Sequence, residues 1–510
     1  MPLASLFVLF GSSVLSVLNI NVGSRRRHGF FSFAPGGILP AMPAREASRT
    51  TGTAKSSAAA APQRELTLLD TTAIIVGIII GASIYKAPDM ARSVPSLTAL
   101  LAMWAIGGLI ALVGALCYAE LVGLFPKQGG DYLYLSRAYG KKMGFVFAWS
   151  ELWVVRPGSI GAVAYVFADY ANQLWPLDSS AALVIYAAGA IVLLSVVNIL
   201  GVRESKWTQN LLTIAKVVGL GIVIVVALAG PGGPKAAAPA LSRNSDYTLA
   251  LILILYAYGG WSEVAYVAAE VRNAQRNILR ALLLGLGTVA LIYVVANYAF
   301  ASALGFEQFQ RSNAIATDVL QIRGFERAGQ LVAALICIST LGSIHGQIFT
   351  VARIYYALGV DQPMYAPLGR WSPRFGTPVA AIVLQTVATL IPVVAFGLNA
   401  DGFYRLVIFA TPVFWFFFLL VGIALFVLRQ VEADAPRAFR VPFYPWLPLA
   451  FCLSSLFMLY SSFTYAVQNR ASEALWSVII LAVGYAFSFY EPRPTRRRKL
   501  AGRRKRRRRR

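Results

Sequence analysis

The sequence predicts an all-α polytopic membrane protein of about twelve transmembrane helices, built as a five-plus-five inverted repeat with the first and sixth helices broken, plus two C-terminal helices. Three observations predict it. The 510 residues are 57% hydrophobic and only 13% charged, with a mean hydropathy of +0.63, too little charge to cover a soluble protein of this length. Apolar runs of membrane length recur along the chain. Two of these runs, five spans apart, are interrupted by small residues where a membrane helix should be continuous.

The first 65 residues read as an extension outside the membrane unit, with an apolar stretch from Leu3 to Val22, then Arg25-Arg26-Arg27, then a linker rich in Gly, Pro, Ala and Ser. A signal peptide carries its positive charge before the apolar part, and here none precedes it. Disorder is the expectation for much of this segment. The membrane unit runs over 66–490, with spans expected near 66–86, 97–124, 144–175, 181–200 and 209–229 for the first repeat (66–230). The second repeat (247–429) has spans near 249–269, 281–304, 330–358, 378–396 and 403–428, and two further spans fall near 447–466 and 475–489 within 446–490. Residues 491–510 form a basic tail that holds much of the net charge of +24. A tail of this kind suits an anionic lipid leaflet, and no nucleic-acid partner is expected. Lys and Arg concentrate in alternate loops (Lys141, Lys142; Arg203, Lys206; Arg272, Arg276, Arg280; Arg370, Arg374), which places both termini in the cytoplasm. Cys117, Cys337 and Cys452 all fall in apolar spans and read as small buried hydrophobes.

The first break is Gly81-Ala82-Ser83 within the run from Ile74 to Tyr85; the second is Tyr258-Gly259-Gly260 within Leu255 to Ser262. A helix broken at membrane depth frees amide and carbonyl groups, which is tolerable only where they line a cavity. Freed N–H groups at the start of a half-helix attract an anion and freed carbonyls a cation. An amino acid carries both. Two breaks on spans that cross the membrane in opposite directions are the mark of an inverted-repeat transporter with its site near the midplane.

These residues are familiar in combination. Gly77 to Tyr85, Val113 to Leu121, Gly129-Gly130-Asp131-Tyr132, Glu151 to Pro157, Tyr258-Gly259-Gly260-Trp261, Glu270-Val271-Arg272-Asn273 and Ser339 to Arg353 resemble the amino acid–polyamine–organocation (APC) superfamily, in its L-type amino acid transporter branch. The resemblance covers roughly Leu66 to Phe489. It implies that the amides of Gly81, Ala82 and Ser83 hold the substrate carboxylate. It also implies that the carbonyls of Ile79, Tyr256 and Gly259 hold the ammonium, and that the Tyr256 side chain closes over the substrate. Tyr258 and Gly260 complete the expected substrate-binding set. The chain departs from the family's Gly-Ser-Gly-Ile-Phe with Gly81-Ala82-Ser83-Ile84-Tyr85, adding a Cβ beside the carboxylate position. The usual prolines are missing after Asn273 and at Leu279.

Charged groups inside spans are the other candidates, since placing them there is costly. The resemblance puts Lys216 beside the first break, where sodium-coupled relatives hold their cation, so Lys216 is the expected coupling group in place of sodium; snorkelling to the interface is the alternative. Glu151 and Arg156 are five residues apart, about 140° around an α-helix, so each is expected to find its partner on another span rather than pair with the other. Glu263, one turn past the second break, is a candidate for selectivity or gating. His345 is a candidate for gating near neutral pH or for a hydrogen-bonded packing role. Glu120, and Glu270 with Arg353, are expected to form ion pairs at the cytoplasmic end.

No phosphate-binding loop, metal-ligand set or nucleophile–base pair emerges, so the chain reads as no enzyme, with no cofactor and no metal. Animal L-type transporters, the resemblance implies, pair with a glycoprotein heavy chain through a cysteine after span three. Here that loop reads Trp175-Pro176-Leu177-Asp178-Ser179-Ser180, so no obligatory heavy chain is expected and a plasma or inner membrane is the expected home. The expectation is a sodium-independent amino acid exchanger or proton-linked permease, with neutral amino acids, the bilayer and protons as partners. Two other readings stay open: a permease for cationic amino acids or polyamines, with Glu263 as the acid it would need, and an amino acid sensor on a transporter fold.

Overall fold

The computed structural model describes residues 62–230, 246–397, 402–468 and 472–489. The N-terminal extension up to residue 61 and the basic tail lie outside these residues. Every element among the described residues is helical, and the single extended contact is a parallel bridge between Leu66 and Val271. Ten helices among them are long and apolar enough to cross a membrane. The run 141–174 and the sixteen-residue helix Ser472–Phe487 occupy the places of spans three and twelve.

The chain runs α1 (Leu68–Ile79), a 3₁₀ turn (Ala82–Lys86), α2 (Ala87–Ala91), α3 (Leu97–Leu124), α4 (Asp131–Tyr139), α5 (Lys141–Ser150), a π turn (Glu151–Val155), α6 (Arg156–Leu174), α7 (Ala182–Leu200) and α8 (Val202–Leu228). It continues through α9 (Tyr247–Ala257), a 3₁₀ segment (Trp261–Glu270), α10 (Ala274–Leu304), α11 (Phe306–Arg311), α12 (Ile315–Ile322), α13 (Ala328–Asp361), α14 (Val379–Gly397), α15 (Gly402–Val431), α16 (Trp446–Gln468) and α17 (Ser472–Phe487). Local signals set the starts. Thr67 and Asp70 form a reciprocal capping box on α1, and Ser96 caps α3 through the Ala99 amide. α8 shows the solvent the fold expects. It buries Gln209, Thr213 and Lys216 and exposes Leu211, Ile214, Val218, Ile222 and Val225, polar groups inward and aliphatic groups outward.

α10 begins at Ala274, seven residues before its expected start, and three further features differ from the sequence expectation. α8 begins at Val202, seven residues before the expected start, because Val202–Trp207 continues the helix beyond its apolar part. Lys216 is therefore about 21 Å along its helix at about 1.5 Å per residue. Loops carry short helices of their own: α4 before α5, and α11 with α12 after α10.

The third concerns span three. Glu151 and Arg156, expected not to pair, do pair, because the backbone between them is a π turn in which the Arg156 amide bonds the Glu151 carbonyl. The i to i+5 bond of a π turn brings residues five apart onto one face. Pro157 accounts for it, since proline lacks an amide donor and its ring clashes with the carbonyl four residues back.

Candidate functional site

Both breaks sit where small residues let helices approach closely. α1 stops at Ile79, and Ile80 and Gly81 leave helical geometry before the 3₁₀ turn resumes at Ala82 with no side-chain cap. α9 stops at Ala257, and Gly260 (φ +105°) reverses into the segment Trp261–Glu270, again without a side-chain cap. Two half-helices therefore start with backbone N–H groups that no side chain satisfies. A Cβ on Gly260 would lie 2.5 Å from Ile78 Cγ2, so the left-handed turn and the close approach of the two breaks both require glycine.

Lys216 reaches the first break through space that glycines leave open. A Cβ on Gly77 would lie 2.2 Å from Gln209 Nε2, and one on Gly342 would lie 2.9 Å from Lys216 Nζ. The ammonium is 1% exposed and donates to the carbonyls of Gly77 (2.7 Å), Ile80 (2.8 Å) and Ser339 (2.6 Å). Ser339 Oγ adds a bond to the Ile80 carbonyl at 3.1 Å, and Ser343 Oγ lies 3.2 Å from the Gly77 carbonyl. Three carbonyls match the three protons of an ammonium. The carbonyls freed by the break thus converge on a cation that belongs to the protein itself.

Of the carbonyls expected to hold the substrate ammonium, Ile79 accepts from the Gly81 amide at 2.8 Å and from Tyr293 Oη at 3.1 Å, and Tyr256 accepts from the Gly259 amide at 3.0 Å. Tyr293 also lies 3.5 Å from the Ala257 carbonyl, so one hydroxyl on α10 spans both breaks. The sequence reading missed Tyr293; a tyrosine in an apolar run carries no signal of its own. Tyr258 turns its ring into α3, donating to the Trp104 carbonyl at 3.1 Å and packing on Trp104 and Tyr293, so it offers the break only its backbone. Tyr256 is 42% exposed between buried Leu255 and Ala257.

The half-helix Trp261–Glu270 is held by three buried polar links. Glu263, 4% exposed, accepts from Arg156 Nη1 at 2.7 Å and from Thr350 Oγ1 at 2.7 Å. Tyr266 donates to Asp131 Oδ2 at 3.1 Å. Glu270 takes Arg353 in a bidentate pair at 2.8 and 2.9 Å, both side chains fully buried. Glu120 binds Arg429 and Arg437, tying α3 to α15 and the loop after it. His345, also buried, shares a 2.9 Å bond between Nδ1 and Gln209 Oε1, a packing position between α13 and α8.

Both ends of the first span are fastened. At one end Leu66 bridges Val271 through the Leu66 amide to the Glu270 carbonyl and the Arg272 amide to the Leu66 carbonyl, each 2.9 Å. At the other, Arg92 donates to the carbonyls of Gln310 and Ser312 at 2.7 Å, and Gln310 Nε2 returns bonds to the carbonyls of Ala91 and Val94. The first break lies along the chain between these two fastenings.

An all-helical membrane bundle with two unwound helices facing one another and an internal cation at the first break is the architecture of a secondary transporter and not of an enzyme. The amino acid permease family model matches residues 66–485, and the chain belongs to that family, in the L-type branch of the APC superfamily. It is 30% identical over 437 residues to the b(0,+)-type amino acid transporter 1 of Homo sapiens, covering 84% of this chain and 88% of the relative. It is 30% identical over 430 residues to the serine/threonine exchanger SteT of Bacillus subtilis (strain 168), covering 83% and 96%. The large neutral amino acids transporter small subunit 2 of Mus musculus is 28% identical over 453 residues, covering 86% and 82%. Amino acid transport across a membrane is thus its function.

Proposed function

We propose that this chain exchanges neutral amino acids across a cell membrane by alternating access, without sodium and without a heavy-chain subunit, its two termini in the cytoplasm. The observation that carries this reading is Lys216, whose ammonium fills the carbonyl cage of the first break. A fixed cation there leaves no vacancy for a metal ion to bind and release with each cycle. The backbone groups of Ile79, Gly81, Ala82, Ser83, Tyr256, Gly259 and Gly260 recognise the α-carboxylate and α-ammonium. Tyr256 closes over them. Neutral substrates are favoured because Glu263 is already committed to Arg156 and Thr350 and offers no free acid to a cationic side chain. Support for a chain acting alone comes from the three cysteines, all buried and none in the loop after α6.

The test is entry of a panel of labelled amino acids into liposomes holding the purified protein, in sodium-free buffer. Uptake that requires an internal amino acid supports exchange. Entry into empty vesicles driven by a proton gradient would replace it by a proton-linked permease, and strict sodium dependence would overturn the reading of Lys216. In the same assay Gly260→Ala should raise the apparent KM at least about tenfold, since an alanine there meets both a strained φ and Ile78. An unchanged KM would remove the second break from the site.

A further inference from the structure

The buried polar groups at the Leu66 end do not balance. Arg156 serves two carboxylates, Glu151 and Glu263. A third carboxylate, Asp131, lies 4% exposed at the start of α4, outside the spans, with no cation among the described residues in contact. Its Oδ2 accepts from Tyr118 Oη at 3.0 Å and Tyr266 Oη at 3.1 Å. Its Oδ1 is buried with no hydrogen-bond partner. Three carboxylates around one guanidinium, one of them with a bare oxygen, leave an excess of negative charge that a dry interior does not tolerate.

Position gives this imbalance a consequence. Gly129 and Gly130, at φ +97° and +42°, turn the chain so that Asp131 meets the half-helix; a Cβ on Gly130 would lie 2.6 Å from the Tyr266 ring. The Gly129 amide bonds the Tyr266 carbonyl at 3.3 Å. Asp131 therefore stands across the seam between α4 and the half-helix that Leu66 and Val271 join to the first span. We propose that Asp131 is a proton-binding site that latches this seam: the protonated carboxyl keeps the Leu66 end shut, and loss of its proton to water favours opening. This rests on the alternating-access reading above.

Among the described residues, the titratable and charged groups around Asp131 and on the elements packed beside it are these. α3 contributes Tyr118, the half-helix Tyr266 and Glu263, the turn before α6 Glu151, and α6 Arg156. α4 itself adds Tyr134, and Tyr132, whose hydroxyl is bonded to Asp361. α13 adds Tyr355 and Arg353, the latter held by Glu270; α15 has Arg429, held by Glu120; and on α5 Lys141 and Lys142 are exposed. Burial, with the Glu151 charge adding to it, pushes the Asp131 carboxyl up to about 7, against the lowering effect of the two tyrosine hydroxyls and Arg156. In an opened, hydrated seam it returns to about 4. The closed state then holds the proton more tightly, so closure is fully favoured below about 4 and weakens as pH rises toward 7, with no further change above.

The experiment introduces Leu66→Cys into the full chain in lipid nanodiscs and follows its modification by a charged maleimide from pH 5 to 8. Rates are corrected by the same reagent on the unfolded protein and by the parent with its three buried cysteines. Accessibility should rise at least about tenfold between pH 5 and 7. Adding Asp131→Asn should flatten the profile. Tyr118→Phe, which removes a hydrogen bond that favours the ionised carboxylate, should move the midpoint to higher pH, a shift that a merely structural role would not produce. A profile that keeps its pH dependence in Asp131→Asn, or a midpoint unmoved by Tyr118→Phe, overturns the site. Exchange measured in parallel separates the two readings. Exchange with a flat labelling profile sinks the proton site alone; a titrating seam without exchange sinks the transport reading alone.

Discussion

Lys216→Ala should abolish exchange, lowering the initial rate at least about 100-fold while the protein still inserts and elutes as a single species. The magnitude follows from what the side chain satisfies. Without it, the carbonyls of Gly77, Ile80 and Ser339 lose the donor that holds them together. Each carbonyl keeps a serine hydroxyl, so what is lost is its bond to a charged donor, worth about 1.5–3 kcal/mol. A total loss of about 3 kcal/mol in the state that binds substrate corresponds to about 100-fold in rate. The effect should concentrate on the first break, because two of the three carbonyls belong to it and the third belongs to α13, which packs behind it. Arginine should not rescue: Gly342 already approaches the lysine stem so closely that an added Cβ would lie 2.9 Å from Nζ, leaving no room for a guanidinium. Wild-type rates in Lys216→Ala would remove this residue from the mechanism and reopen a metal ion as the coupling partner.

The legible parts of this protein were those where one residue type breaks a strong local rule. Glycines in apolar runs marked both breaks, and a lysine in the apolar run of α8 marked the cation, because neither is tolerated there without a reason. Geometry that depends on the backbone's own irregularity was misread. Assuming an α-helical period through span three separated Glu151 from Arg156, although Pro157 beside them was a visible signal that the period would change. Groups assembled from distant spans were legible where both partners are charged, as in the Glu270–Arg353 pair, and not where an uncharged hydroxyl makes the link. Tyr293 becomes a link between the breaks only once Ile79 and Ala257 are brought together, 214 and 36 residues away in sequence. Asp131 was legible only as one member of a Gly-Gly-Asp-Tyr motif; its two tyrosine partners come from α3 and the half-helix, and the missing countercharge is a property of the packed state alone.

Arg156→Met should cost the most stability of any single substitution in the charged network, about 3–5 kcal/mol, the usual consequence of removing one partner from a buried pair. The guanidinium is the common partner of Glu151 and Glu263, and all three side chains are nearly inaccessible. Its loss leaves two carboxylates facing each other without a cation. Glu263→Gln should cost less, since Arg156 keeps Glu151 and the glutamine amide can still accept from Thr350. Thermal unfolding followed by fluorescence-detected gel filtration orders these variants. Arg156→Met combined with Glu151→Gln and Glu263→Gln should recover most of the lost stability, because removing all the charges removes the unpaired ones. Failure of the triple variant to recover would mean that the arginine acts by filling space and not by charge. The same proteins test selectivity. If Glu263 is a structural acid committed to Arg156, then Glu263→Gln leaves the ranking of substrates unchanged while lowering the unfolding temperature. Selective loss of arginine and lysine uptake in that variant would instead make Glu263 a substrate carboxylate and restore the cationic reading.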